Sequence, residues 1–156
     1  MTIEVGQLAP PFALRDQTER VVNLADYAER TYVVIVFFPF AFTGASHVEL
    51  QELGSGIETF EEAGAQLLGV SCDSPFTLAR WATELDLAFP LLSDFWPHGE
   101  VAGRYGVLDL TTGAASRTTI IVRPDGTVAD VLQQREPGTT RTFAEHRDAL
   151  ERVLSA

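Results

Sequence analysis

An unbroken apolar run at residues 32–38 constrains the fold more than any other feature of the chain. Its residues, YVVIVFF, are all β-branched or aromatic, and such side chains favour extended backbone. No polar residue alternates with them, so neither face of this strand can lie against water. Strands that are apolar on both faces are typical of parallel sheets covered by helices on both sides. The run therefore predicts a central strand of an α/β protein.

A helical pattern follows this strand after a short loop. From Ser46, apolar residues recur every three or four positions, which predicts a helix with one buried stripe over residues 46–63. Gly54 and Gly56 fall inside the pattern, where each costs about 1 kcal/mol relative to alanine. Close packing at the glycines is the favoured interpretation, and fraying of the helix is the alternative.

Strands and helices alternate along the remaining chain, which predicts a parallel sheet core. A polar turn between two short apolar segments predicts an N-terminal hairpin. Ser74, directly before a proline, is the predicted N-cap of a later helix. The predicted elements are the hairpin 12–16 with 21–24, a short helix 25–30, strands 66–70, 91–92, 118–122 and 127–133, and helices 75–85, 98–105 and 140–154.

Composition indicates one acidic domain and excludes several functions. The 156 residues are 46% apolar, which is enough for a single domain over residues 1–156. A net charge of -11 would repel phosphate backbones, so we expect no nucleic-acid partner. All 11 basic residues are arginine, and the lack of lysine excludes Schiff-base chemistry and a P-loop. No apolar run reaches the roughly 20 residues of a membrane span and no signal pattern is present, so we expect a cytoplasmic protein without membrane association.

The loop after the central strand carries the motif Pro39-x-x-x-Thr43-x-x-Ser46. It resembles the active-site signature of the peroxiredoxin (AhpC/TSA) family, Pro-x-x-x-Thr-x-x-Cys, with serine in the place of the cysteine that attacks peroxides. The segment SDFWPHG at 93–99 is similar to the one-cysteine branch called alkyl hydroperoxide reductase E. The further segments that resemble the family in order and spacing are FFPFAFTG, Glu49-Leu50, GVSCDSPFTLARWA, RYGVLD and Arg117.

The resemblance implies a thioredoxin-like α/β fold of peroxiredoxin type, with a central mixed sheet flanked by helices and an N-terminal β-hairpin. It implies that Thr43 and Arg117 bracket the two peroxide oxygens, that Pro39 shields the site from water and that Glu49 belongs to the same catalytic site. It implies no cofactor and no metal. The implied partners are a hydroperoxide substrate, an external thiol reductant (thioredoxin-like, mycoredoxin-like or a small thiol) and a second copy in a homodimer.

Physical chemistry explains why the family uses these residue types. A thiol attacks peroxide only as its thiolate, and a free cysteine with a pKa of about 8.5 is mostly protonated near pH 7. The free N–H groups and positive dipole end of a helix's first turn would stabilise the anion, as would a nearby arginine.

Ser46 changes what such a site can do, because an alkoxide forms far less readily than a thiolate. We therefore expect no peroxidase turnover through Ser46. Two explanations stay open. Either a cysteine has been replaced to give an inactive, reduced-like form, or this is a natural homologue that binds or transforms another small molecule, such as an anion or carboxylate, in the same pocket. A purely structural interpretation is a capping box, with Ser46 as N-cap and Glu49 reaching back to it.

Other candidate residues have weaker patterns. Cys72 is the only cysteine, so any sulfur chemistry must end with an outside thiol, and at the end of an apolar strand we interpret it as a packing residue rather than a resolving thiol. Ser46 and His47 point about 100° apart on a helix, which argues against a hydrolase pair. Three scattered histidines give no metal-ligand spacing. Phe95 and Trp96 are either core residues, which we favour, or by resemblance part of a dimer contact.

Overall fold

The computed structural model describes residues 1–156 and contains nine strands and five α-helices. A short 3₁₀ helix, Leu24–Tyr27, follows the second strand. The strands are β1 Ala13–Arg15, β2 Val21–Asn23, β3 Tyr32–Phe37, β4 Ala65–Ser71, β5 Leu91–Ser93, β6 Leu108–Asp109, β7 Ala114–Ala115, β8 Thr118–Val122 and β9 Val128–Gln133. The helices are α1 Gly44–Ser55, α2 Ile57–Glu62, α3 Pro75–Leu85, α4 Glu100–Arg104 and α5 Phe143–Leu154. None of the helices is long and apolar enough to cross a bilayer.

Seven strands form one mixed sheet in the order β2-β1-β5-β4-β3-β8-β9. β3 pairs in parallel with β4, and β4 pairs in parallel with β5. The outer pairings, β1 with β2 and β5, and β8 with β3 and β9, are antiparallel. The predicted mixed sheet and N-terminal hairpin are confirmed.

The central strand is buried on both faces, as its composition predicts. Alternate side chains of β3 enter two separate apolar cores, one on each side of the sheet. Val34 and Val36 face the core built with α1, α2, α3 and α5, where Trp81 is fully buried. Ile35 and Phe37 face the core on the α4 side. β3 is therefore the central strand of the fold, with an apolar core on each face.

The helix after β3 differs from its prediction. It begins at Gly44 rather than Ser46 and ends at Ser55, and Gly56 is both its C-cap and the N-cap of a second helix. A Cβ at Gly54 would lie 2.7 Å from Leu87 Cδ2, and one at Gly56 would collide with the ring of Phe143. The close-packing interpretation of these glycines is therefore supported.

Two further predictions are corrected by the structure. The helix expected over 98–105 is limited to α4, and a small separate sheet, β6–β7, follows it where no hydrophobic pattern predicted strands. Phe95 and Trp96 are not core residues, because 51% and 81% of their surfaces are exposed. The predicted cap of α3 is confirmed, since Ser74 accepts a hydrogen bond from the Thr77 N–H.

Candidate functional site

The sheet topology brings the loop after β3 next to Arg117. Because β3 and β8 are antiparallel, the last residue of β3, Phe37, pairs with Thr118, the first residue of β8. Pro39 and Arg117 follow and precede these residues, and both line one cavity of about 500 Å³. The structure thus places Pro39 of the motif and Arg117, which the resemblance implies as a site residue, at the same edge of the sheet.

The loop between β3 and α1 is fixed by the residues after β4. The Ala41 N–H donates to Asp73 Oδ2 at 2.8 Å, and Ser71 Oγ donates to the same oxygen at 2.7 Å. Phe42 adopts a φ of 69°, in the left-handed region that a residue other than glycine rarely enters. Such a conformation persists only where the surroundings hold it, so the contacts with Asp73 fix the shape of this loop.

The first turn of α1 lacks the cap that the sequence predicts. Thr43 is the N-cap residue, but its hydroxyl donates to the Phe40 carbonyl at 2.7 Å and caps nothing. Ser46 is the third residue of the helix and only 1% exposed, and its Oγ has no hydrogen-bond partner. The capping box of Ser46 and Glu49 is therefore wrong, because the N-cap is Thr43, three residues earlier, and Glu49 binds Arg141 instead.

Glu49 is fully buried and binds an arginine that the sequence did not single out. Arg141 donates from its backbone N–H (2.7 Å) and Nε (3.0 Å) to Glu49 Oε2 and from one terminal nitrogen to Oε1 at 2.9 Å. Arg117 Nε lies 3.7 Å from Oε2, so the predicted site residues Glu49 and Arg117 do come together. Burial lowers the pKa of Arg141, while the Glu49 carboxylate acts in the opposite direction. Two guanidinium groups share one carboxylate, which leaves an excess of positive charge in the site.

Arg117 is the exposed member of this arrangement. Its side chain is 16% exposed, and a terminal nitrogen donates to the Thr139 carbonyl at 2.7 Å. Its Nε has no hydrogen-bond partner. Arg117 is therefore held at one end and keeps unused hydrogen-bonding capacity, which suits a residue that binds a small ligand.

Thr119 and His146 continue the arrangement into the core, and the sequence analysis missed both. Arg141 donates to Thr119 Oγ1 at 3.0 Å, and Thr119 Oγ1 lies 2.8 Å from His146 Nε2. His146 Nδ1 lies 2.9 Å from the Thr142 carbonyl, which can only accept, so Nδ1 carries the proton and Nε2 accepts from Thr119. Burial, and then the charge of Arg141, lowers the pKa of His146 to about 4. We call Glu49, Arg117, Arg141, Thr119 and His146 the Glu49 network.

A signal for His146 was present in the sequence. The buried stripe of α5 comprises His146, Ala149, Leu150 and Val153, so a polar residue stands at an apolar position of an amphipathic helix. Arg141 lies just before that helix and has no comparable signal, because nothing in the local pattern distinguishes it from the other arginines.

Cys72 lies apart from the network. It is buried at the end of β4, and burial together with Asp94 raises the pKa of its thiol to about 11. A thiol in this state is a poor nucleophile, which supports the packing interpretation. No cluster of three histidine, cysteine, aspartate or glutamate side chains that could hold a metal ion occurs in the structure.

Comparison with known proteins identifies the class. Residues 5–131 match the model of the AhpC/TSA family. The chain is 40% identical over 148 residues to alkyl hydroperoxide reductase E of Mycobacterium tuberculosis, covering 95% of this chain and 96% of that protein. Similar solved structures are peroxidoxin BcpB from Mycobacterium tuberculosis (28% identity, TM-score 0.84, 98% and 97% of the chains covered) and Mycobacterium tuberculosis AhpC (25%, 0.86, 99% and 95%). The fold is the thioredoxin-like one of peroxiredoxins, and the chain belongs to the AhpC/TSA family.

Proposed function

We propose that this protein retains the peroxide-binding site of a peroxiredoxin, with Ser46 in the position of the family's nucleophilic cysteine, and does not itself reduce hydroperoxides. The observation that carries the proposal is the Ser46 hydroxyl, which is buried in the first turn of α1 without any hydrogen-bond partner. A serine with a structural role normally donates to a carbonyl or caps a helix. A buried hydroxyl without a partner, one helical turn before Glu49 on α1, suits a position shaped for a thiolate.

The surrounding residues support the family roles. Arg117 and the first turn of α1 would stabilise an anion at position 46. Arg117 and Thr43 would bind the peroxide oxygens, and Pro39 would restrict water. Glu49, held by Arg141, would keep Arg117 in place without a direct hydrogen bond, since the two lie 3.7 Å apart.

The test is to introduce Ser46→Cys and follow peroxide consumption by stopped flow. We expect hydrogen peroxide and an organic hydroperoxide to react at least about 100-fold faster than with free cysteine, because preorganised donors stabilise the developing charge. The unchanged chain and Ser46→Ala serve as controls and should show no reaction above that of Cys72. A Ser46→Cys protein no faster than a free thiol would contradict the proposal.

The reaction of the Ser46→Cys protein also defines its partners. The thiolate attacks one peroxide oxygen, the O–O bond breaks, and the leaving hydroxide or alkoxide takes up the proton that the thiol released, so that water or an alcohol and a sulfenic acid result. Because Cys72 is buried and its pKa is about 11, it is poorly suited to resolve that sulfenic acid. An external reductant, either thioredoxin-like, mycoredoxin-like or a small thiol, would supply the two electrons and emerge as the disulfide. The exposed Phe95 and Trp96 support a homodimer, which sedimentation would detect.

A second candidate function is the binding of a small carboxylate by the chain as it stands. It is favoured by the 500 Å³ cavity, whose lining includes Arg117 and Arg135 alongside Asp109 and Glu136. Calorimetric titration with benzoate, and with benzamide as the uncharged control, tests this function. Binding of benzoate that is lost in Arg117→Leu would support it, and equal binding of the two compounds would contradict it.

A further inference from the structure

We propose that His146 is a positioning residue of the site, which orients Thr119 and through it the guanidinium of Arg141. Its role would be to keep the Glu49 carboxylate bound to Arg141 and away from Arg117. The proposal rests on the proposed function for its kinetic readout only, because the arrangement of the side chains can be tested in the chain with Ser46.

Each hydrogen bond between His146 and Arg141, by way of Thr119, has one possible donor and one possible acceptor. The Thr142 carbonyl fixes the proton on Nδ1, so Nε2 must accept, and the only hydroxyl within reach is that of Thr119. Thr119 has a single proton, and donating it to His146 leaves its lone pairs for Arg141. The imidazole therefore determines which way the Thr119 hydroxyl points.

The direction of that hydroxyl matters for charge in the site. With the lone pairs of Thr119 facing Arg141, the guanidinium has acceptors for several of its donors: Thr119 Oγ1 and both oxygens of Glu49. If Thr119 turned its proton toward Arg141, two donors would face each other and the guanidinium would have to move. Glu49 Oε2, now 3.7 Å from Arg117 Nε, would keep its hydrogen bond from the Arg141 backbone N–H but lose the one from Nε, and could then accept one from Arg117 and neutralise its charge.

The first experiment measures this arrangement in the chain with Ser46, by NMR exchange of the Arg141 Nε–H with water. We expect exchange roughly tenfold faster in His146→Leu, about the effect of one lost hydrogen bond. His146→Gln should restore slow exchange, because its amide oxygen can accept from Thr119 in place of Nε2. Leu150→Ala, in the same buried stripe of α5 but outside the Glu49 network, is the control for a general loss of packing and should leave the exchange slow.

The second experiment uses the Ser46→Cys background. His146→Leu should raise the pKa of the introduced thiol, which is measured from the absorbance of the thiolate. The chain with Ser46 serves as the blank, because it contains only the Cys72 thiol. His146→Leu should also slow the reaction with hydrogen peroxide about three- to tenfold at pH 7, since one neutralised arginine weakens the stabilisation of the thiolate. His146→Gln should recover most of the rate, and Leu150→Ala should leave both quantities unchanged while lowering stability.

The outcomes separate the two proposals. An unchanged thiol pKa, peroxide rate and Arg141 exchange in a folded His146→Leu protein would overturn the positioning role. Faster Arg141 exchange in a protein whose Ser46→Cys form is inactive would support the positioning role and contradict the proposed function. If His146→Leu does not fold, Thr119→Val breaks the same connection from the other side, and Thr119→Ser, which keeps the hydroxyl, should restore slow exchange.

Discussion

α5 begins beside the C-terminal half of α1, where the Phe143 N–H donates to Glu52, and the two helices begin in opposite ways. α5 starts with a reciprocal capping box, in which Thr142 Oγ1 accepts from the Glu145 N–H at 3.1 Å and Glu145 accepts from the Thr142 N–H at 3.2 Å. α1 starts without a side-chain cap and contains the unpartnered Ser46 hydroxyl. Side-chain caps such as that of Thr142 stabilise a helix start. The two helices therefore differ at their starts, and an uncapped first turn of α1 is what the proposed ligand-binding site requires.

The largest expected effect comes from breaking the ion pair between Glu49 in α1 and Arg141, which lies just before α5. Arg141→Leu would leave the Glu49 carboxylate buried, with only Arg117 at 3.7 Å, so we expect unfolding to become easier by about 3–5 kcal/mol. Urea denaturation measures this loss. The double variant Glu49→Leu/Arg141→Leu should recover part of it, because no uncompensated charge remains. A loss below about 1 kcal/mol in the single variant would mean that the pair contributes little to folding.

Acid should destabilise the folded protein through His146, which lies in α5. Its pKa is about 4 in the folded protein and near 6.5 when unfolded, so between these values the unfolded chain binds the extra proton. Stability is therefore fully present above pH 6.5 and falls as the pH drops toward 4, by up to roughly 3 kcal/mol. Burial raises the pKa of Asp94, which acts in the opposite direction in every variant. Subtracting the urea stability of His146→Gln at each pH isolates the histidine; an identical pH dependence in both proteins would show that His146 titrates normally.

The local sequence pattern was enough to predict the central strand of the fold but not the arrangement of the candidate site. The apolar run of β3 predicted a strand buried on both faces, and Ser74 followed by Pro75 predicted the start of α3. The Glu49 network is different, because Arg141 lies 92 positions from Glu49 along the chain. A pairing over that separation depends on the tertiary fold and has no local period. The capping-box pattern at Ser46 misled for the same reason, since the buried Arg141 attracts Glu49 more strongly than the helix start does.

The contact between the end of α1 and the start of α5 gives a smaller effect. Gly56→Ala would place a methyl group inside the ring of Phe143, so we expect a loss of about 1–3 kcal/mol in urea unfolding. Gly103→Ala is the matched control, because Gly103 lies within α4 with open space at its Cβ position. There we expect a gain of about 0.4–1 kcal/mol. Equal responses at the two glycines would show that the two helices can shift apart at no cost.

The smallest effect compares the two N-cap threonines directly. Thr142→Ala removes a hydroxyl that accepts from the Glu145 N–H, so we expect a loss of about 1 kcal/mol. Thr43→Ala removes a hydroxyl that caps nothing and lies on the surface, so its cost should stay below about 0.5 kcal/mol. In the Ser46→Cys background the order should reverse for peroxide consumption, where Thr43→Ala slows the reaction and Thr142→Ala does not. Equal costs in unfolding would mean that both threonines have only a structural role, and the start of α1 would then lose its distinction from the start of α5.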